Sequence, residues 1–147
     1  MSTVWSVLYV YPRTGGPQVS LPEDWDLIPG ARGCTPQGCA FRDHHAELLA
    51  LDATVWGISA QPFAEQQEFV DRLHIPFLLL NDSALRLAEP PLSLPTFTVD
   101  GLTLFKRVTL VAHGGQIIKV FYPVFPPDQN AADVIRYLQP WREEPDR

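Results

Sequence analysis

The only two cysteines of the 147-residue chain, Cys34 and Cys39, lie five positions apart at the predicted start of a helix. Thr35 is a good N-cap, because its hydroxyl can accept a hydrogen bond from a backbone N–H of the first helical turn. Pro36 suits the first helical position, where a missing N–H donor costs nothing. Cys34 is therefore expected at the exposed, positive end of a helix dipole, which favours its thiolate form. Because the thiolate is the nucleophile, this placement predicts a reactive cysteine.

The spacing of the two cysteines limits how they can pair. Positions five apart in an α-helix are separated by about 7.5 Å along the axis, whereas a disulfide rarely joins Cα atoms more than about 7 Å apart. Cys34 and Cys39 therefore cannot form a disulfide while an intact helix runs through both. Pairing would require the first turns to unwind, and Gly38 weakens them by about 1 kcal/mol relative to alanine. The spacing thus predicts a conformational change coupled to oxidation.

Three other interpretations fit the cysteine pair less well. The thiols could be buried and inert, since cysteine often packs as a small core residue, but the predicted cap places Cys34 at an exposed end. Zinc binding by Cys34, Cys39, His44 and His45 would need one short helix to supply a whole tetrahedron, whereas structural sites draw ligands from separate segments. A C-x-x-C oxidoreductase has two intervening residues rather than four. No metal is expected.

Length, composition and charge bound the class of protein. A chain of 147 residues with 46% hydrophobic residues predicts one globular domain over residues 1–147. The net charge of −6 gives no support for nucleic-acid or anionic-membrane binding. No apolar run approaches the ~20 residues of a membrane span, and residues 1–5 lack the basic start of a signal peptide. A cytoplasmic location is expected, and there cysteines are more often reactive than structural.

Hydrophobic periodicity predicts strands alternating with helices, then antiparallel strands and a closing helix. The predicted strands cover residues 4–11, 54–59, 76–80, 96–99, 104–112 and 116–122. The predicted helices cover residues 36–51, 63–73, 84–87 and 130–138, with Pro140 and an acidic tail after the last, and turns at Asp100-Gly101 and Gly114-Gly115. Core contacts are expected from Phe41, Leu48 and Leu49 in the first helix and from Phe63, Phe69, Val70 and Leu73 in the second. This order is typical of an α/β fold with a central mixed β-sheet flanked by helices.

The stretch 13–33, rich in glycine and proline, is long for a connection in a compact domain. It contains an acidic and aromatic patch, Glu23-Asp24-Trp25-Asp26. Two interpretations stay open for it: a functional loop, or a surface excursion pinned by Trp25.

The double-cysteine segment reads Gly33-Cys34-Thr35, with Cys39 and then Phe41-Arg42-Asp43. It resembles the active-site segment of a known family, the peroxiredoxins, and most closely that of the PrxQ or bacterioferritin-comigratory-protein type. The resemblance continues over most of the chain, at Tyr11-Pro12, Gly57-Ile58-Ser59, Leu73-His74-Ile75-Pro76-Phe77, Leu79-Leu80-Asn81-Asp82 and Arg107-Val108-Thr109-Leu110-Val111.

The resemblance implies a thioredoxin-like fold and a thiol-dependent peroxidase that reduces hydrogen peroxide and organic hydroperoxides. It implies that Cys34 is the peroxidatic cysteine, that Cys39 is the resolving cysteine, and that Arg107 activates the sulfur and the bound peroxide. Cys34 would become a sulfenic acid that Cys39 converts to a disulfide, and thioredoxin or a similar dithiol would reduce it. No metal, haem or flavin is needed, and the intramolecular pair favours a monomer.

The sequence departs from the family pattern near the active site. The family places Thr or Ser three residues before the peroxidatic cysteine, and this chain has Ala31 there. Thr14 could supply the missing hydroxyl if the 13–33 stretch folds back, so Thr14 and Thr35 are the predicted substrate-binding residues. A non-enzymatic redox sensor that signals to a protein partner is the alternative function. Turnover separates the two, because an enzyme consumes many equivalents of peroxide and a sensor stops at one.

Overall fold

The computed structural model describes residues 4–15, 25 and 32–143. Its strands are β1 Trp5–Val10, β2 Ala53–Ser59, β3 Leu78–Asn81, β4 Thr96–Val99, β5 Leu102–Phe105, β6 Val108–His113 and β7 Gln116–Phe121. Its α-helices are α1 Cys34–Asp43, α2 His45–Ala50, α3 Phe63–Leu73 and α4 Asn130–Glu143. Two 3₁₀ turns cover Arg86–Ala88 and Pro127–Gln129, the first in place of the short helix predicted over 84–87.

Five strands form the central sheet in the order β3-β2-β1-β6-β7. β1 pairs parallel with β2 and antiparallel with β6, while β2 pairs parallel with β3 and β6 pairs antiparallel with β7. The positive φ angles of Gly114 and Gly115 form the tight turn between β6 and β7, as their sequence predicts. The mixed sheet flanked by helices is confirmed.

Side chains of β1 pack against α1. Its alternate side chains face opposite sides of the sheet, so Val7 and Tyr9 join one core cluster and Val10 joins another. Tyr9 stacks on Phe41 of α1 with ring centroids 4.7 Å apart, and lies 5.4 Å from the ring of Tyr11. This aromatic layer supports the helix that carries both cysteines.

The single strand predicted over 104–112 is two strands, β5 and β6, separated by Lys106 and Arg107. β5 pairs with β4 in a separate two-stranded sheet, joined by the Asp100-Gly101 turn, whereas β6 belongs to the central sheet. The chain must therefore leave one sheet and enter another within two residues. Arg107 lies in this break and is only 2% exposed.

Other sequence predictions for the helices need correction. The helix predicted over 36–51 is two helices, because the backbone of His44 departs from helical geometry at φ −98° and ψ 8°. Leu49 is 52% exposed, since Leu48 takes the core position on the short α2. Phe63 is 64% exposed, as the first residue of α3. α4 continues through Pro140, whose exposed position lets water solvate the carbonyl that loses its N–H partner.

Most of the stretch 13–33, with Ala31 and most of the acidic patch, lies outside the described residues. Trp25 is described: it is 5% exposed and packs with Leu104 and Phe97, its ring centroid 6.1 Å from that of Phe97. Trp25 therefore packs against β4 and β5, and both interpretations of the stretch stay open.

Candidate active site

Cys34 is the first residue of α1. Gly33 precedes it with φ 105°, and its carbonyl accepts a hydrogen bond from the N–H of Gln37 at 3.0 Å. Gly33 is thus the N-cap, and the prediction that Thr35 caps the helix is wrong. Gly33 starts the helix earlier because glycine tolerates this left-handed backbone, and a Cβ there would lie 2.7 Å from Cγ of Pro127. Thr35 lies half-buried within the first turn.

Cys34 is also less accessible than the sequence indicated. Its side chain is 4% exposed, whereas an exposed helix end was expected. The burial arises because the start of α1 packs against the Pro127–Gln129 turn and against α4. A buried sulfur meets few water molecules, so the groups that surround it determine how easily it carries a negative charge.

Hydrogen-bond donors from two separate segments of the described chain, Arg107 and Arg13, point at the sulfur of Cys34. The guanidinium Nη2 of Arg107 lies 3.1 Å from Sγ, and the backbone N–H of Arg13 lies 3.4 Å from it. A charged donor is stronger than a neutral one, and a buried setting strengthens both. The structure thus brings Cys34 and Arg107 together across 73 residues of sequence, in an arrangement that can stabilise a thiolate.

Arg107 is held by two further acceptors. Its Nη2 donates to the carbonyl of Arg32 at 3.1 Å, and its Nη1 donates to Oε1 of Gln37 at 2.5 Å. A guanidinium has its donors in a fixed plane, so these bonds determine where the group can point. Gln37 was not singled out in the sequence. The signal was available, because residues three apart on a helix share a face and Gln37 is three positions after Cys34.

The residues that follow β1, Pro12 and Arg13, are held in place by side chains of β2 and α3. The hydroxyl of Ser59 donates to the carbonyl of Pro12 at 2.9 Å. The side chain of Arg13 donates to both carboxylate oxygens of Glu65, at 2.8 and 2.6 Å. A bidentate pair adds geometric specificity, so these contacts fix the backbone N–H of Arg13 that faces the sulfur of Cys34. Sequence reasoning missed Glu65, since its position in the first turn of α3 gives no chemical signal.

Thr14 is 2% exposed and lies next to Arg13. Its hydroxyl donates to Oε1 of Gln61 at 3.3 Å, and Gln61 in turn donates to Glu65 at 3.1 Å. The structure therefore places Thr14 one residue from a donor to the Cys34 sulfur. Substrate binding by Thr14 and Thr35 stays a prediction.

Cys39 lies on the same helix as Cys34 and is partly exposed. The two cysteines are not joined by a disulfide. α1 runs unbroken through both, so their separation is the helical one of about 7.5 Å along the axis. As the spacing predicted, α1 must open before the two sulfurs can form a disulfide.

Gly38→Ala is expected to lower the free energy of unfolding by about 1 kcal/mol. Alanine gains about 1 kcal/mol in helix propensity, but its Cβ would lie 2.8 Å from Cζ of Phe69. Phe69 is 1% exposed and cannot swing away, and overpacking a core costs about 1–3 kcal/mol. Urea denaturation measures the difference, with Gln67→Ala on the exposed face of α3 as the control. A more stable Gly38→Ala variant would mean that Phe69 yields freely.

Two tyrosines beneath the site remain neutral. Burial raises the pKa of Tyr9 well above its ordinary value, with smaller contributions from Tyr11 and the two cysteines, and Arg107 opposes the shift. Burial also raises the pKa of Tyr11 well above its ordinary value, against a hydrogen bond from Gln66. Both phenols are therefore protonated at neutral pH, and they place no negative charge beside the sulfur of Cys34.

Other kinds of site receive no support within the described part of the chain. Residues 4–15, 25 and 32–143 contain no group of three or more His, Cys, Asp or Glu side chains that could hold a metal ion. Over the same residues, no helix is long and apolar enough to cross a lipid bilayer.

Comparison with known proteins connects this geometry to a family. The model of the AhpC/TSA family matches residues 27–90, which include both cysteines. Peroxiredoxin Bcp of Bacillus subtilis is 36% identical over 83 residues, covering 56% of this chain and 43% of that protein. Peroxiredoxin Q of Oryza sativa subsp. japonica, named as chloroplastic, is 31% identical over 108 residues, covering 73% of this chain and 48% of that protein. The chain belongs to the peroxiredoxins. It spans about half the length of the curated relatives that it matches.

Solved peroxiredoxin structures share the fold. Peroxidoxin BcpB from Mycobacterium tuberculosis superimposes with a TM-score of 0.73 at 25% identity, covering 92% of this chain and 79% of that one. Peroxiredoxin Q from Xanthomonas campestris gives a TM-score of 0.74 at 20% identity, covering 96% and 81%. The thioredoxin-like fold expected from the sequence is confirmed.

Proposed function

We propose that this peroxiredoxin is a thiol-dependent peroxidase in which Cys34 is the peroxidatic cysteine and Cys39 the resolving cysteine. The observation that carries the proposal is the pair of donors on the Cys34 sulfur, the guanidinium of Arg107 at 3.1 Å and the N–H of Arg13 at 3.4 Å. They stabilise the anionic form of the sulfur, which is the nucleophile. A second thiol five positions away can then complete the cycle.

In the first step, the Cys34 thiolate attacks one oxygen of a hydroperoxide. An S–O bond forms and the O–O bond breaks, so the sulfur is oxidised to a sulfenic acid and the peroxide is reduced. The other oxygen leaves with the electron pair and takes up a proton as water or an alcohol. Arg107 stabilises the charge that develops during the attack, since a fixed cation in a buried site needs little reorganisation. Thr14 and Thr35 are the hydroxyls that we propose bind the substrate.

In the second step, the Cys39 thiol attacks the sulfenic sulfur of Cys34. An S–S bond forms and the sulfenic oxygen leaves as water. Because the helical separation of the cysteines exceeds the reach of a disulfide, α1 must open first. Cys34 is buried, whereas Cys39 is already partly exposed. The opening of α1 therefore has to bring only the Cys34 sulfur out of a buried position.

A dithiol protein of the thioredoxin type then restores the two thiols. Its thiolate attacks the Cys34–Cys39 disulfide, a mixed disulfide forms, and its second thiol releases the reduced peroxiredoxin. The cycle uses no metal, haem or flavin. It also needs no second copy of the chain, which supports a monomer, and it needs a reducing compartment such as the cytoplasm.

Turnover is the test of the proposal. The protein is expected to consume many equivalents of hydrogen peroxide when thioredoxin, its reductase and NADPH are supplied, and one equivalent when they are withheld. Cumene hydroperoxide in a parallel series tests the organic substrates. Consumption that stops at one equivalent with the reductant present would favour the redox sensor over the enzyme.

Oxidation is expected to open the start of α1. Amide hydrogen exchange across residues 35–41 should be faster in the disulfide form, because the helical hydrogen bonds there must break. Leu48 is fully buried and anchors the following helix, so exchange in α2 and in β1 should change little. Mass spectrometry of the reduced and oxidised protein measures both. Equal protection of residues 35–41 in the two forms would contradict the unwinding step.

A further inference from the structure

Gln37 has no role in the steps above, yet its side chain is fully buried and bonded at both ends. Its Oε1 accepts a hydrogen bond from Nη1 of Arg107 at 2.5 Å, and its Nε2 donates to Oδ1 of Asn130 at 3.0 Å. Asn130 Oδ1 also accepts a hydrogen bond from the hydroxyl of Thr109 at 2.7 Å. The four side chains form a buried polar chain from Arg107 through α1 to the start of α4 and to β6.

The donor and acceptor types of these four side chains fix the direction of each hydrogen bond between them. A guanidinium can only donate, so the amide oxygen of Gln37 must face Arg107 and its nitrogen must face Asn130. Asn130 is 1% exposed and Thr109 is fully buried, so water cannot readily replace a lost hydrogen-bond partner at either residue. Buried polar groups that lose a partner pay the full desolvation penalty. Gln37 is therefore held in one rotamer and in one amide orientation.

Gln37 holds Arg107 with a neutral group. A carboxylate in its place would bring a negative charge against the same guanidinium that faces the Cys34 sulfur. The amide oxygen fixes the position of the guanidinium while leaving its positive charge to act on the sulfur 3.1 Å from Nη2. This combination suits a residue whose task is to orient Arg107.

Gln37 also lies between the two cysteines, in the part of α1 that must open before they can pair. Opening that turn moves the Gln37 backbone, and the amide cannot follow and still reach both Arg107 and Asn130. We propose that Gln37 is a positioning residue that makes the contact between Arg107 and the Cys34 sulfur depend on an intact α1. The guanidinium is then fixed during attack on peroxide and released when the disulfide forms. The release of the guanidinium on disulfide formation rests on the proposed peroxidase cycle.

The first test measures Cys34 alkylation by iodoacetamide as a function of pH in a Cys39→Ser background. Gln37→Met removes the acceptor and keeps the side-chain length. The pH of half-maximal alkylation is expected to rise, with a roughly tenfold slower reaction at pH 7, because one pH unit corresponds to a tenfold change in thiolate. The matched control is Gln66→Met, another buried glutamine, which bonds Tyr11 and Leu80 instead. It should lower the melting temperature and leave the alkylation profile in place.

A double-mutant cycle with Arg107→Met decides whether the effect passes through the guanidinium. Gln37→Met should add nothing once Arg107 is absent, whereas an equal shift in both backgrounds, or an unchanged profile, would overturn the proposal. Gln37→Asn, which withdraws the oxygen by one methylene, serves if the methionine variant does not fold, and the same shift is expected. Alkylation uses no peroxide, so a protein without peroxidase turnover would refute the proposed function and still yield this result.

The release of Arg107 has its own measurement. The side-chain amide protons of Gln37 are expected to exchange slowly with solvent in the reduced protein and rapidly in the disulfide form, as followed by NMR with ¹⁵N-labelled glutamine. The side-chain amide of Gln66 reports on an unaffected part of the core. Slow exchange at Gln37 in both forms would show that α1 opens without moving this residue, and it would overturn the dependence on an intact helix.

Discussion

Cys34→Ser is expected to abolish peroxide reduction, whereas Cys39→Ser is expected to keep the first oxidation and lose rapid recycling. The physical reason is the environment of the two sulfurs. Arg107 and the N–H of Arg13 both donate to Cys34, so this sulfur has a positioned charge to hold its thiolate and to stabilise the departing oxygen. A serine hydroxyl at that position is a far weaker nucleophile at neutral pH.

Stopped-flow mixing with hydrogen peroxide separates the two steps. In Cys39→Ser the tryptophan fluorescence change of the first step should keep the wild-type second-order rate, and a dimedone adduct on Cys34 should accumulate, since no resolving thiol consumes the sulfenic acid. Steady-state turnover with thioredoxin should fall sharply in the same variant. If Cys39→Ser lost the first step and Cys34→Ser kept it, the two roles would be reversed.

Local signals in the sequence are sufficient for much of this fold. Asp100-Gly101 and Gly114-Gly115 both have positive φ angles and join antiparallel strands, and such pairs are the strongest short-range signals for a hairpin. The bounds of β4 and of α3 agree with the sequence prediction, because turn residues or proline flank a clear periodic segment. The helix start at the two cysteines was also recognisable, although Gly33 rather than Thr35 caps it.

The errors arise where distant segments decide the outcome. Residues 104–112 have an almost continuous β-type sequence pattern, which predicts one strand. The segment is divided into two strands because β5 pairs with β4 whereas β6 pairs with β1. The burial of Cys34 depends on the Pro127–Gln129 turn and on α4, which lie about 90 positions away in the sequence. The position of Gln37 on the Cys34 face of α1 was a local signal, but its partners Arg107 and Asn130 are 70 and 93 positions distant. No local pattern encodes such contacts.

Arg107→Met is expected to slow the reaction of Cys34 with hydrogen peroxide by about 10²–10³-fold, the usual effect of removing one preorganised donor. Methionine fills much of the buried space, and replacing a buried charge by an apolar side chain is compatible with folding. Arg107→Lys keeps the charge and loses the planar fork, so it cannot reach the Cys34 sulfur, Arg32 and Gln37 together. Its rate should lie between those of the wild type and Arg107→Met.

The control for net charge is Arg136→Met, since the side chain of Arg136 is exposed and pairs with Asp133 on α4. It removes one positive charge and should leave the second-order rate within about twofold of the wild type, because surface charges are screened at physiological salt. Stopped-flow kinetics in the Cys39→Ser background isolates the first step for all three variants. An Arg107→Met protein that is folded by circular dichroism and reacts at the wild-type rate would remove Arg107 from the mechanism. A lysine variant as slow as the methionine variant would show that the fork, rather than the charge alone, is what activates Cys34.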